Sequence, residues 1–230
     1  MLGLFGLNLH PNYLLPVVQA QTEKEPKSEA DRILGVGLQQ FEKSQYREAL
    51  QSFQAALQSY KSANNREGEG NALIGLGSTY NSIGQYQKAI DLLQDALAIK
   101  KQIGDREGEG NALHELGDAY DSLGQYQKSI DLHQQALAIA KQIGDRDGEG
   151  NAINGLADVY ESLGQYQKAI DLYQQSLALR KEINDRNGEA YCLNGLGDIY
   201  DTLGQYQKAI DLHQQLGQPH TFLNKLVSIF

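Results

Sequence analysis

The nine residues GQYQKAIDL, from Gly84 to Leu92, decide how this chain folds, because they recur at a fixed spacing. The same nine letters return from Gly164 and from Gly204, and a copy with one change, Ser129 for alanine, starts at Gly124. Successive copies start 40 residues apart. A period of this length is typical of repeat proteins, in which each unit buries its apolar face against an equivalent neighbour.

One complete unit runs from Gly104 and contains two segments with helical periodicity, separated by SLGQ. Asp105 precedes the first segment and is a suitable N-cap, and Gly124 suits a left-handed turn that ends it. The apolar positions that recur at helical spacing are Ala112, Leu113, Leu116 and Tyr120 in the first segment, and Tyr126, Ile130, Leu137 and Ile139 in the second. The pattern predicts units near residues 28–63, 64–103, 104–143, 144–183 and 184–216, each a helical hairpin.

The order of large and small residues within a unit resembles the tetratricopeptide repeat. In the second unit the matching residues are Leu73, Leu76, Gly77, Tyr80, Ala89, Leu93 and Ala96. The period is 40 rather than about 34, and Lys101 stands where that family has a closing proline, so the second helix is expected to continue through Ile103. In this respect the chain is similar to LGN/Pins-type adaptors and to cyanobacterial proteins whose repeats precede a CHAT domain.

This resemblance implies an all-α fold, a right-handed superhelical solenoid of antiparallel helical hairpins with about five units. Tetratricopeptide proteins generally bind a peptide or helical segment along a concave surface lined by the first helix of each hairpin. Residues at the matching positions are mostly polar or acidic: Asn71, Asn111 and Asn151; His114, Asn154 and Asn194; Asp118, Asp158 and Asp198; and Asp121, Glu161 and Asp201. Such a groove favours a basic or polar protein or peptide partner.

Three other interpretations stay open at this stage. The polar residues could be only the solvated face of each first helix. The chain could be a regulatory or assembly module that controls a catalytic partner, such as a CHAT-type protease. It could also be an unassigned hydrolase or metal-dependent enzyme.

The residue pattern contains no catalytic, metal or cofactor constellation, so we expect a non-catalytic protein. His133 and His213 occupy the same position two units apart, on the order of 20 Å, and cannot share a zinc ion. His114 stands alone in its repeat and belongs to the predicted groove, whereas Cys192 replaces an alanine and is expected to be a small packing residue. The acidic i, i+3 pairs along the first helices lack the six to eight oxygen ligands that calcium requires.

Composition narrows the classes of partner that the chain is expected to bind, but it says less about the cellular compartment. The net charge of −9 disfavours nucleic acid as a partner, and a single cysteine cannot form an internal disulfide bond.

Residues 1–20 carry no charged side chain and end in Val18-Gln19-Ala20, which resembles an export signal. The alternatives are a disordered leader over residues 1–27 and a cytoplasmic protein. Pro11 and Pro16 interrupt the apolar run, so a stable membrane span is not expected. Residues 217–230 are apolar and are interpreted as a C-terminal cap or a truncated tail. The sequence does not predict the oligomeric state.

Overall fold

A computed structural model describes residues 28–215 of the chain, and within these residues all regular structure is helical. Ten helices follow one another: α1 (Glu29–Glu42), α2 (Tyr46–Ser62), α3 (Arg66–Ser82), α4 (Tyr86–Ile103), α5 (Arg106–Ser122), α6 (Tyr126–Ile143), α7 (Arg146–Ser162), α8 (Tyr166–Glu182), α9 (Arg186–Thr202) and α10 (Tyr206–Gln215). The predicted export signal or leader and the predicted cap or tail lie outside the described residues.

The helix boundaries follow from capping residues and glycines in the repeated sequence. Asp105 accepts a hydrogen bond from the backbone N–H of Gly108 at 2.8 Å and so caps α5, as predicted. Gly124 has φ 75° in the turn between α5 and α6, a conformation that glycine adopts without steric cost. Helix α4 ends at Ile103, as the missing proline predicted.

The helices form two layers. Each odd-numbered helix packs against the helices before and after it and also against the next odd-numbered helix, whereas the even-numbered helices contact chiefly the odd-numbered helices beside them. We call α1, α3, α5, α7 and α9 the inner helices and the even-numbered ones the outer helices. Hairpins stacked in this way make a solenoid of about five units, so the predicted fold class is confirmed.

Small residues allow the layers to approach closely. Ala49, Ala89 and Ala169 on the outer helices are fully buried, as is Ala157 on an inner helix. No helix among residues 28–215 combines the length and apolar character required to cross a membrane.

Candidate binding groove

The inner helices line two hollows, one toward each end of the solenoid. The apolar hollow has a volume of 320 Å³, and its apolar lining consists of Leu34, Leu38, Phe41, Phe53 and Ile74. The acidic hollow has a volume of 370 Å³ and is lined by polar and charged side chains, among them His114, Asp118, Asp147, Asn154, Asp158 and Tyr191. The two hollows therefore differ in chemistry.

In four units, one position on the outer helices places its side chain against the inner helices. It carries Phe53, Leu93, His133 and Tyr173, all of which are buried. Their side chains reach inward to the inner helices: Phe53 lines the apolar hollow, and Tyr173 donates hydrogen bonds to residues on α7. The side chain of His213, at the same position of the last unit, is not among those described.

The carboxylate of Asp158 lines the acidic hollow and accepts hydrogen bonds from two neighbouring helices. Its Oδ1 accepts a hydrogen bond from the Tyr173 hydroxyl at 2.5 Å, and its Oδ2 accepts one from the Tyr191 hydroxyl at 2.8 Å. Tyr173 also donates to Glu161 at 3.0 Å. Burial raises the pKa of the Asp158 carboxyl, although the two phenols and the charge of His114 act in the opposite direction. Asp158 is therefore held in place and desolvated.

Two buried cations hold asparagines that were predicted to line the groove. Lys100 donates from Nζ to Oδ1 of Asn71 and to Oδ2 of Asp105, each at 2.6 Å. Arg180 makes the corresponding bonds to Asn151 and, at 2.9 Å, to Asp185. Both cations are almost completely buried, at 1% and 2% exposure. The side-chain oxygens of Asn71 and Asn151 are therefore engaged within the protein.

The third unit lacks such a cation, because Ala140 stands at the position of Lys100 and Arg180. Its asparagine, Asn111, is exposed and borders the apolar hollow. Asn111 is thus the member of this series whose amide has no hydrogen-bonding partner within residues 28–215.

His114, Asp118 and His133 come together beside the acidic hollow. Nδ1 of His114 lies 3.4 Å from Nδ1 of His133, and the Asp118 carboxylate lies 3.6 Å from Nε2 of His114 and 3.4 Å from Nε2 of His133. The expectation that His114 and His133 act separately was wrong, because their rings are neighbours within one unit. The missed signal was that the outer-helix position of His133 faces inward.

The remaining predicted groove residues differ in their accessibility. Asn154 is buried and accepts a hydrogen bond from the Cys192 thiol at 3.3 Å. Burial raises the pKa of the Cys192 thiol, which disfavours a thiolate, in agreement with a packing role. Asp198 is exposed, whereas Asn194, Asp121 and Asp201 are partly exposed.

The comparisons with known proteins agree with this architecture. Two family models, each described as tetratricopeptide repeat, match the chain, one over residues 29–102 and 148–216 and the other over residues 112–147. No curated protein sequence matches the chain significantly.

Solved structures resemble the chain at low sequence identity and therefore show the fold alone. A Rap protein complexed with Competence and Sporulation Factor aligns with a TM-score of 0.75 and 17% identity, over 81% of this chain and 52% of that one. The Rap conjugation gene regulator of plasmid pLS20, in complex with the Phr* peptide, aligns with a TM-score of 0.72 and 18% identity, over 79% and 50% of the two chains. The chain thus spans about half the length of these two proteins.

A third structure is similar over nearly its whole length. The TPR-like repeats of a putative kinesin light chain from Podosopora anserina align with a TM-score of 0.60 and 24% identity, over 84% of this chain and 95% of that one. The resemblance to LGN/Pins-type and CHAT-associated proteins stays a prediction. With family models matching more than half of its residues and a solenoid of stacked hairpins, the chain belongs to the tetratricopeptide repeat family.

Proposed function

We propose that the chain is a non-catalytic interaction scaffold that binds an extended or helical peptide segment along its inner helices. The observation that carries this proposal is a pair of hollows along the inner helices, an apolar one lined mainly by α1–α3 and an acidic one lined mainly by α5–α9. Two solved structures of the same fold contain a bound factor or peptide, which supports this use of the fold.

The chemistry of the two hollows suggests what the ligand contains. Leu38 is 49% exposed beside the apolar hollow, so an apolar side chain of the ligand gains contact area there. Asp158, Glu161 and Asp198 place carboxylates at the other end, where a lysine or arginine of the ligand is favoured by charge. We therefore propose a peptide with an apolar anchor at one end and basic residues at the other.

The dimensions of the groove suggest the length of the segment. Packed helices lie about 8–10 Å apart, so the five inner helices span about 30–40 Å. An extended chain covers about 3.3 Å per residue, and about ten residues fill that distance. The alternative of a module that regulates a CHAT-type protease stays a prediction.

The test is a binding measurement with the full-length protein and fluorescent peptides of about ten residues. One peptide joins a leucine cluster to a lysine cluster, a second replaces every lysine by glutamate, and a third replaces every leucine by serine. We expect the first to bind best and the second worst. Equal affinity for all three, or no binding by any, would contradict the groove assignment.

A variant pair makes the assignment specific to the acidic end of the predicted groove. Neutralising Asp198 and Asp201 on α9 with asparagine should weaken binding of the leucine–lysine peptide. The loss of affinity caused by replacing the leucines of the peptide by serine should be the same as in the unmodified protein. The control neutralises Asp91 and Asp171, which are exposed on the outer helices α4 and α8. If both pairs weaken binding equally, net charge rather than the groove attracts the peptide.

A further inference from the structure

The third unit brings three potential metal-ligating side chains to one point. One ligand atom from each of His114, Asp118 and His133 lies within 4.8 Å of the other two. His114 and Asp118 are four residues apart on α5 and so share a face of that helix, and His133 reaches them from α6. No other group of three such residues within residues 28–215 meets this criterion.

The position of His133 is strongly constrained. A Cβ added to Gly117 would lie 2.7 Å from its Nε2 and Cε1 atoms, and a Cβ added to Gly155 would overlap the ring as well. The imidazole therefore occupies space that two glycines, one on α5 and one on α7, leave free. Two neighbouring inner helices thus hold the ring in a fixed orientation.

One polar atom of this buried ring has no hydrogen-bonding partner. Nε2 of His133 is buried and makes no hydrogen bond within the described residues, since Oδ1 of Asp118, 3.4 Å away, lies outside hydrogen-bonding geometry. Buried polar atoms without a partner are rare, and such an atom is explained when it binds a ligand or ion.

The distances suit a small divalent ion. Ligand atoms about 2.0–2.1 Å from zinc in a tetrahedral site lie about 3.3 Å from one another. Oδ1 of Asp118 is 3.4 Å from Nε2 of His133 and Oδ2 is 3.6 Å from Nε2 of His114, while single ligand atoms from the three residues lie within 4.8 Å of one another. Two imidazoles and one carboxylate are a nitrogen-rich set that suits zinc, cobalt or nickel rather than calcium or magnesium, which prefer oxygen ligands.

The surrounding charge also favours a cation. Glu115, Asp121 and Asp158 are acidic neighbours of Asp118. Arg180, a buried cation that lines the acidic hollow, already bonds Asp147 and Asp185. Acidic side chains around Asp118 therefore outnumber the basic side chains described near it.

We propose that His114, Asp118 and His133 form a binding site for a divalent transition-metal ion of the zinc type. Because His114 and Asp118 line the acidic hollow, the remaining coordination positions face the groove, where water or a donor from a bound peptide completes the shell. The proposal stands independently of peptide binding, since the three protein ligands are in place without a partner.

The test uses the untagged full-length protein, freed of metal with a chelator, in the absence of any peptide. Titration with Co²⁺ should give the visible absorption bands of a nitrogen- and oxygen-ligated ion, saturating at one equivalent, and Zn²⁺ should displace it. An absence of bands, or binding without saturation, would overturn the proposal.

Each of three variants removes one proposed ligand and introduces the residue that stands at the equivalent position of another unit, which this fold already accommodates. His114→Asn copies Asn154, His133→Leu copies Leu93, and Asp118→Ser copies Ser78. Each should weaken Zn²⁺ binding by more than about tenfold, with the helical circular dichroism spectrum unchanged. His213→Leu makes the same substitution in the last unit and should leave the affinity unchanged.

The pattern across these variants separates the site from adventitious binding. The chain also contains His10 and His220 near its ends. If His114→Asn and His133→Leu both retain the affinity of the unmodified protein, the metal binds elsewhere and the assignment is wrong. His114→Asn replaces a partly exposed residue, so its result stands even if His133→Leu fails to fold.

Discussion

Tyr191 on α9 and Asp158 on α7 are joined by a hydrogen bond of 2.8 Å from the phenol to Oδ2. The other oxygen of the same carboxylate accepts from Tyr173 on α8. One side chain thus connects three consecutive helices and two adjacent units at the surface of the acidic hollow. Such a connection stabilises the stack of hairpins and fixes a carboxylate at the same time.

The first prediction concerns Tyr173→Phe. The substitution removes the donor shared by Asp158 and Glu161 and leaves both carboxylates less well satisfied, so the free energy of unfolding should fall by about 1–3 kcal/mol. Urea denaturation followed by circular dichroism measures the change. Tyr160→Phe is the control, because the Tyr160 hydroxyl makes no hydrogen bond within residues 28–215. Equal effects of the two substitutions would show that the hydrogen bonds contribute nothing to stability.

The second prediction concerns Gly155→Ala, whose effect should change sign with the residue at position 133. In the unmodified protein the added methyl group overlaps the buried His133 ring, and overpacking of this kind costs about 1–3 kcal/mol. In a His133→Ala background the obstacle is gone, and alanine should stabilise the helix by up to about 1 kcal/mol relative to glycine.

A double-mutant cycle from thermal or urea unfolding measures this coupling. Gly104→Ala is not a suitable control, because its φ of 73° makes alanine strained for a different reason. Gly35→Ala is suitable, since no atom lies within 4 Å of the added Cβ. Additive effects of Gly155→Ala and His133→Ala would mean that the ring is not confined by this glycine.

Much of the fold could be predicted from the sequence because the determinants are local and repeated. The 40-residue period, the capping Asp105 and the left-handed Gly124 act within a few residues, and the structure places the helix boundaries accordingly. A deviation in one unit is recognisable because the other units provide the reference.

The chemistry of the groove was less predictable, because it depends on side chains that cross from one layer to the other. The polar series included Asn71 and Asn151, but a buried lysine or arginine from an outer helix already occupies their oxygens. The apolar hollow around Leu38 and Phe53 was also not predicted from the sequence. In both cases the contact that determines the chemistry joins an inner helix to an outer helix, so the periodicity of a single helix does not reveal it.

The third prediction concerns the pH dependence of the Lys100–Asp105 pair. Burial alone would raise the pKa of Asp105, but the hydrogen bond from Lys100, the N–H of Gly108 and the charge of Lys100 outweigh it and lower the pKa below its ordinary value of 3.8. A carboxyl group with a lowered pKa in the folded state stabilises the protein above the unfolded value, and this contribution is lost as the pH falls through the folded value.

Asp105→Asn tests this sign, because asparagine keeps the cap, as Asn65 does for α3, but leaves the buried Lys100 ammonium without its carboxylate. The cost at neutral pH should be about 1–3 kcal/mol and should shrink as the pH is lowered below 3.8. The matched control is Asp145→Asn, since Asp145 caps α7 in the same way but adjoins Ala140 instead of a cation. A cost that is the same at every pH, or as large for Asp145→Asn, would contradict the role of the pair.

The fourth prediction concerns the apolar hollow and the peptide proposed to fill it. Leu38→Ser removes an exposed leucine that lines the hollow, whereas Val36→Ser, on the same helix and at similar exposure, changes a residue outside its lining. Full burial of a leucine side chain contributes about 1.5–3 kcal/mol, and each 1.4 kcal/mol changes Kd tenfold. Because Leu38 gains only part of that burial, we expect Leu38→Ser to raise the Kd of the leucine–lysine peptide by about threefold to tenfold and Val36→Ser to leave it unchanged. The peptide with serine in place of leucine should not distinguish the two variants, and a loss of affinity for it in Leu38→Ser would mean that the substitution perturbs α1 rather than removing an apolar contact.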